Sequence, residues 1–243
     1  MTITTRDQLI NALGNNHSRI VVDKASLANA VAGQLFSLWR AAGQPAQAAI
    51  PTTSSVPTSA TLGAITFANQ TAPQASYLAW LALASGNSAM SAEVHDRIAH
   101  MGGLVLNVTT AQTIAGLDLQ TLAPPAARLG ASNCSDVQWF LEVFADGGAT
   151  AANATINVTY SDNSSGNLNA VAVGGTLRAG RMIPLTPQIP PADQGKFIRS
   201  INSVTLSAST TVAGNFGFTC LRQLTLITLP VAIGVPLFFF IVF

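Results

Sequence analysis

His95-Asp96-Arg97-Ile98-Ala99-His100 puts two imidazoles, a carboxylate and a guanidinium within six residues. These side-chain types serve general acid–base catalysis and metal binding. Their spacing does not suit a zinc helix, because ligands on one helical face need a four-residue step and the five-residue step turns His100 away from His95. His17 is the only other histidine, and Cys134 and Cys220 are the only cysteines. No first shell is completed, so no metal, cofactor or catalytic residue is expected. Asp96 and Arg97 are instead expected to interact with a neighbour.

Other reaction types find no better support. Gly-x-Ser-x-Gly and related nucleophile elbows are missing. Glu142 and Asp146 lie near a strand end, where solvation is the ordinary role, and ten acids spread over 243 residues make a poor carboxylate pair for glycoside hydrolysis. Gly174-Gly175 and Gly214 to Gly217 lack the lysine and following helix of a phosphate loop. Arg178, Arg181, Arg199, Arg222 and Arg128 are expected to pair with acids such as Asp136, Glu142 or Asp193, fixing how strands or subunits register.

The elements around these residues divide into zones. Thr5 is placed to cap a short helix through Leu9, Ile10 and Leu13, stopped by Gly14-Asn15-Asn16. Leu27, Val31, Leu35, Leu38 and Trp39 recur at helical steps and predict a helix from Ala25 to Ala42, closed by Gly43. Residues 44–61 are rich in Pro, Ala, Ser and Thr and read as an extended arm. Ser91 suggests a cap for a helix from Ala92 to Met101. From Leu104 the pattern becomes β-branched and aromatic runs, at 105–110, 137–144, 154–160, 170–173, 197–207 and 216–226. Asp146-Gly147-Gly148 and Asp162 to Asn167 punctuate them as turns.

The fold class that follows is α+β, mainly β. Residues 1–103 are expected to form a helical N-terminal region with the extended arm, 104–228 an antiparallel β-sandwich or jelly-roll-like domain, and 229–243 an apolar C-terminal arm. That last segment is interrupted by Pro230 and Pro236 and is shorter than the roughly twenty residues a spanning helix needs, so membrane insertion is not expected. An extended arm, lodged in a neighbour or in the chain's own core, is favoured. Met1 to Asp7 lacks the pattern of a secretory signal.

Composition points to an assembly component. Only 9% of residues are charged while 49% are apolar, against roughly a quarter charged in ordinary domains. So neutral a surface suits a subunit covered by others. With 11 basic and 10 acidic residues scattered along the chain, no basic stripe exists for direct nucleic-acid binding. The two cysteines read as buried free thiols, consistent with folding in a reducing cytoplasm.

Several stretches carry a resemblance: Val94 to Leu104, Val108 to Thr113, Phe140-Leu141-Glu142-Val143, Ala179 to Leu185, Ile198 to Ser209 and Gly214-Asn215-Phe216-Gly217. Upstream stand Ser37-Leu38-Trp39, Gly43-Gln44-Pro45 and Pro51-Thr52-Thr53. Together they resemble uncharacterised structural proteins of tailed bacteriophages, over roughly residues 35–230. The resemblance implies a non-enzymatic virion component assembled in the host cytoplasm. Copies of itself and major capsid or other virion proteins are the implied partners. A capsid decoration, cement or minor capsid subunit is the leading expectation, with a tail, neck or baseplate component, or a carbohydrate- or receptor-binding β-sandwich, as alternatives. Candidate inter-subunit contacts are Trp39, Pro51, Val56, Pro57, Arg181, Arg199, Leu237, Phe238, Phe239, Phe240 and Phe243.

Overall fold

A computed structural model describes residues 3–15, 17, 19–27, 30–67, 80–84, 90–229 and 239–242. Helix α1 (Arg6–Asn15) forms where the capping residues predict it. The Thr5 hydroxyl accepts from the Gln8 amide at 3.3 Å while the Gln8 side chain accepts from the Thr5 amide at 3.2 Å, a reciprocal capping box. Strands β1 (Arg19–Lys24), β2 (Leu35–Phe36), β3 (Gly43–Gln44) and β4 (Trp80–Leu83) follow. Next come β5 (Met90–Leu104), β6 (Gln112–Thr113) and the single-turn helices α2 (Leu119–Leu122) and α3 (Ala126–Leu129). The remainder is β7 (Gln138–Ala145), β8 (Ala152–Tyr160), β9 (Ser165–Asn167), β10 (Val171–Val173), β11 (Arg181–Pro184), β12 (Ile198–Leu206), β13 (Asn215–Leu229) and β14 (Phe239–Val242).

Two antiparallel sheets enclose the main core. One runs β2-β11-β7-β13-β5 and the other β10-β8-β12-β6, with β9 added on β8. The pairing has a simple logic. β5 lies against β13, β6 against β12, β7 against β11, and β8 against β10. The chain therefore folds back on itself as a double ribbon about the connection from β8 to β10, then rolls so that the successive pairs alternate between sheets. That is the strand order of a jelly roll.

Inward side chains alternate along β8, where Ala154, Ile156, Val158 and Tyr160 are all fully buried, as the period-two pattern requires. Trp139 on β7 joins the two sheets: it is 1% exposed and its indole Nε1 donates to the Ile198 carbonyl on β12 at 2.9 Å. Cys134 and Cys220 are both buried and unbonded to each other. Burial pushes the Cys220 thiol well up from its ordinary value.

A third sheet, β3-β1-β14-β4, has its own small core, in which Val22 and Leu83 are buried and Ile20, Leu38, Ile227 and Leu229 pack alongside. The far ends of β5 and β13 run past the sandwich to reach it. No helix among the described residues is long and apolar enough to cross a membrane.

Two predicted helices are not helices. Residues 25–42, where described, contain turns and β2, and Gly33 sits at φ +76°, in the left-handed region that breaks a right-handed helix. The apolar stripe has several destinations: Leu38 enters the small core, Trp39 lies on the sandwich, and Val31 and Leu35 stay exposed. Residues 92–101 belong to β5, so the sandwich begins at Met90 rather than at 104. Register slips by one residue at Ile98, since Cys220 faces Ala99 and Leu221 faces Arg97. This bulge puts Arg97 and His100 on one face of a strand at a three-residue spacing that imitates a helix.

Candidate functional site: a buried arginine clamp under the arm

The outer face of the sheet containing β5, β7 and β13 is not left to solvent. Phe140, Met182 and Leu221 form a buried cluster there, and the arm predicted at 44–61 lies across its β5 edge. Gly102 donates its amide to the Pro51 carbonyl, and Ser55 exchanges backbone hydrogen bonds with His100, each at 3.1 Å. Gly102 has to be glycine, because a Cβ would come within 2.7 Å of the Phe144 ring and 2.9 Å of the Pro51 oxygen.

Arg97 is the centre of this arrangement. It is 8% exposed, and Glu142, reached from β7, is 1% exposed. Arg97 Nη2 donates to Glu142 Oε2 at 2.5 Å and to Thr219 Oγ1 at 2.9 Å, and the Thr219 hydroxyl donates to the same carboxylate oxygen. Arg97 Nε donates to His100 Nδ1 at 2.9 Å. The arm closes the site from above, with the Trp39 ring centred 4.6 Å from the guanidinium carbon and edge-on to His100. Stacking a planar cation on an indole suits Arg in a partly desolvated place.

A second arginine fastens the far end of the arm. Arg128 grips Asp96 through two hydrogen bonds of 2.9 and 2.7 Å, and also donates to the carbonyls of Pro57 and Arg97. Its hydrogen bonds with Asp96 push its pKa up. At the near end, the ammonium of buried Lys24 donates to the carbonyls of Ala41 and Pro45. Burial lowers the Lys24 pKa.

Chemically the cluster holds rather than turns over. His100 Nδ1 is taken by a guanidinium, and the Thr219 hydroxyl donates to a carboxylate already neutralised by Arg97, so no hydroxyl meets a free base. Burial first, and the Arg97 charge second, push the His100 pKa down to about 3. The folded value thus lies below the unfolded value of about 6.5. At neutral pH both states carry a neutral imidazole. As pH falls below 6.5 the unfolded chain takes up a proton that the folded chain refuses, and the group costs about 2 kcal/mol of stability by pH 5. Urea midpoints at pH 7 and pH 5 are expected to show this drop. His100→Gln keeps an acceptor but cannot titrate, so it should lose less between the two pH values; an equal loss would contradict the assignment.

The clamp was only partly foreseeable. Asp96 and Arg97 do interact with neighbours, as expected, and these lie in the same chain. Arg222 approaches Asp136 at 3.9 Å, whereas Glu142 takes Arg97, Asp193 takes Lys196, Arg178 takes Asp146 and Arg199 takes Asp118. Glu142 as a solvated strand-end acid is corrected: it is buried. Its setting in the apolar run Trp139 to Phe144 was the available signal, since a charge buried there needs a cation. Thr219 carried no such signal.

The expected contact residues are mostly engaged within the chain. Pro51 and Pro57 accept hydrogen bonds from β5 and Arg128, Val56 lies half-buried between them, and Trp39 covers Arg97. Arg181 stands 5.9 Å from the Phe36 ring centre, and Arg199 holds Asp118 with two hydrogen bonds. The arm thus lies on its own sheet instead of projecting. The backbone of Phe239 and Phe240 pairs in β14, and Leu237, Phe238 and Phe243 lie outside the described residues.

Elsewhere, a cavity of about 360 Å³ lined by Val21, Pro45, Leu62 and neighbours holds no titratable side chain. Among the described residues no three His, Cys, Asp or Glu side chains are grouped to bind a metal. No protein-family model, curated protein or solved structure matches this chain.

Proposed function

We propose that the chain is a non-enzymatic structural protein of a tailed-bacteriophage virion, a multi-copy capsid decoration, cement or minor capsid subunit that stabilises the particle through apolar contacts. One observation carries this reading: the few charges are spent inside the chain. Eight of the ten acidic residues lie within 4.0 Å of a cationic or imidazole nitrogen of the same chain. What remains outside is neutral, with Leu9, Ile10, Leu13, Leu224 and Leu226 exposed. A surface with little net field and many apolar side chains favours association.

The jelly-roll strand order is compatible with this reading and is also used by lectins and other domains, so fold alone does not choose. The aromatic side chains favour the capsid over a sugar platform. Trp139, Phe140, Phe144, Tyr160, Phe216 and Phe218 are all buried, whereas sugar recognition by stacking requires exposed rings. Each contact with a lattice removes apolar area from water at about 25 cal/mol per Å², and repetition over many sites adds avidity.

Mass spectrometry of purified particles of the phage that encodes the chain tests the proposal. The expected result is a copy number in the hundreds, with particles lacking the protein losing integrity at lower temperature. A dozen copies or fewer would move the protein to the neck or baseplate, and its absence from particles would reject the reading.

A further inference from the structure

The third sheet places a chain-end strand in a central position. β14 lies between β1 and β4, and both of its edges are paired: Arg19 to Val22 face Val242 to Phe239 on one side, and Trp80 to Leu83 face Val242 to Phe239 on the other. Take β14 away and β1 keeps only the short pairing of Asp23 and Lys24 with β3, while β4 has no partner strand among those described. The sheet exists because the last strand fills a slot.

The strand filling that slot need not come from the same chain. Nine residues, 230–238, separate β13 from β14, and an extended stretch of that length reaches up to about 30 Å. This is enough to enter a neighbour. The small core behind the slot has Val22 and Leu83 as its buried members, while the sandwich core draws buried residues from both large sheets. Sheets with little buried apolar area open at the lowest cost. Residues 229–243 carry no charge, so burial against a second copy meets no electrostatic penalty.

We infer that β14 is a transferable strand that, in the assembled protein, occupies the slot between β1 and β4 of a second copy of this chain. Exchange of an identical element keeps every register pair while linking subunits. Because donor strand and acceptor slot are different surfaces, the link is head-to-tail and repeats around a ring or along a lattice. The inference deepens the proposal of a multi-copy structural role, which is what makes a second copy available.

Single cysteines on separate chains test it. One copy carries Val21→Cys and the other Phe240→Cys, which face each other in register; a second set uses Val22→Cys and Phe239→Cys, because neighbouring antiparallel pairs alternate in spacing and disulfides need close Cα atoms. The two full-length variants are co-expressed with different tags, oxidised and run without reductant. A disulfide-linked heterodimer in at least one set, absent when either variant is expressed alone, is the expected result. A chain carrying both cysteines of a set reports the competing case. If it closes its bond within one chain and the mixture gives no heterodimer, β14 stays with its own body and the inference is overturned. If neither cross-links in either set, β14 does not lie beside β1 and the inference falls too. The result is independent of particle copy number, so failure here and failure of the virion reading are told apart.

Discussion

Arg97→Met is expected to destabilise the folded chain by about 3–5 kcal/mol, because it leaves Glu142 as an uncompensated buried charge. Glu142 is 1% exposed and its Oε2 would keep only the Thr219 hydroxyl as donor. The loss exceeds anything expected from the exposed pairs, such as Arg178 with Asp146, where the gain is about 0–1 kcal/mol. Combining Arg97→Met with Glu142→Leu removes both charges and should recover most of the stability, since a buried ion pair is often no better than apolar residues of similar volume. Urea unfolding of the three proteins at neutral pH measures this. A single variant that loses less than about 1 kcal/mol would place the pair in solvent. Trp39 also loses the cation beneath it, so limited proteolysis within residues 44–61 should quicken in Arg97→Met.

Trp139→Ala is expected to cost a further order of about 3–5 kcal/mol, the usual range for deleting a fully buried large aromatic side chain. The indole fills the space between the two large sheets and satisfies the Ile198 carbonyl at the same time. Trp139→Phe separates these roles. It retains much of the packing but leaves the Ile198 oxygen without its donor, which costs about 1–3 kcal/mol. Far-ultraviolet circular dichroism in denaturant reads both variants without relying on the missing indole. If Trp139→Phe were as damaging as Trp139→Ala, the hydrogen bond would matter more than the packing; if neither moved the midpoint, Trp139 would not join the sheets.

Local patterning carried the sandwich. The runs at 137–144, 154–160, 170–173, 197–207 and 216–226 correspond to β7, β8, β10, β12 and β13. Each alternates or stays apolar over a length a strand can bury, and Asp-Gly and Asn-rich turns bound several of them. The cap at Thr5 likewise found α1, since a capping box depends only on residues three apart. β5 defeated the same reasoning because of its bulge. One extra residue at Ile98 shifts the alternation, and Arg97 and His100 then share a face that a regular strand would deny them. At residues 25–42 the helical spacing of Leu27, Val31, Leu38 and Trp39 was real, but these side chains do not face one partner, and Gly33 turns the chain.

The clamp was hidden for a different reason. Arg97 meets Glu142 at 45 residues' separation and Thr219 at 122, distances over which no spacing rule operates. Scarcity of charge, mainly-β character and the neutral arms are properties of composition and short-range order, so the amino-acid sequence alone decided them. Which acid met which cation, whether the arm lay on its own sheet, and where β14 was inserted depended on long-range strand pairing. Only the tertiary structure decided these, because pairing brings together residues whose separation along the chain says nothing about their distance in space.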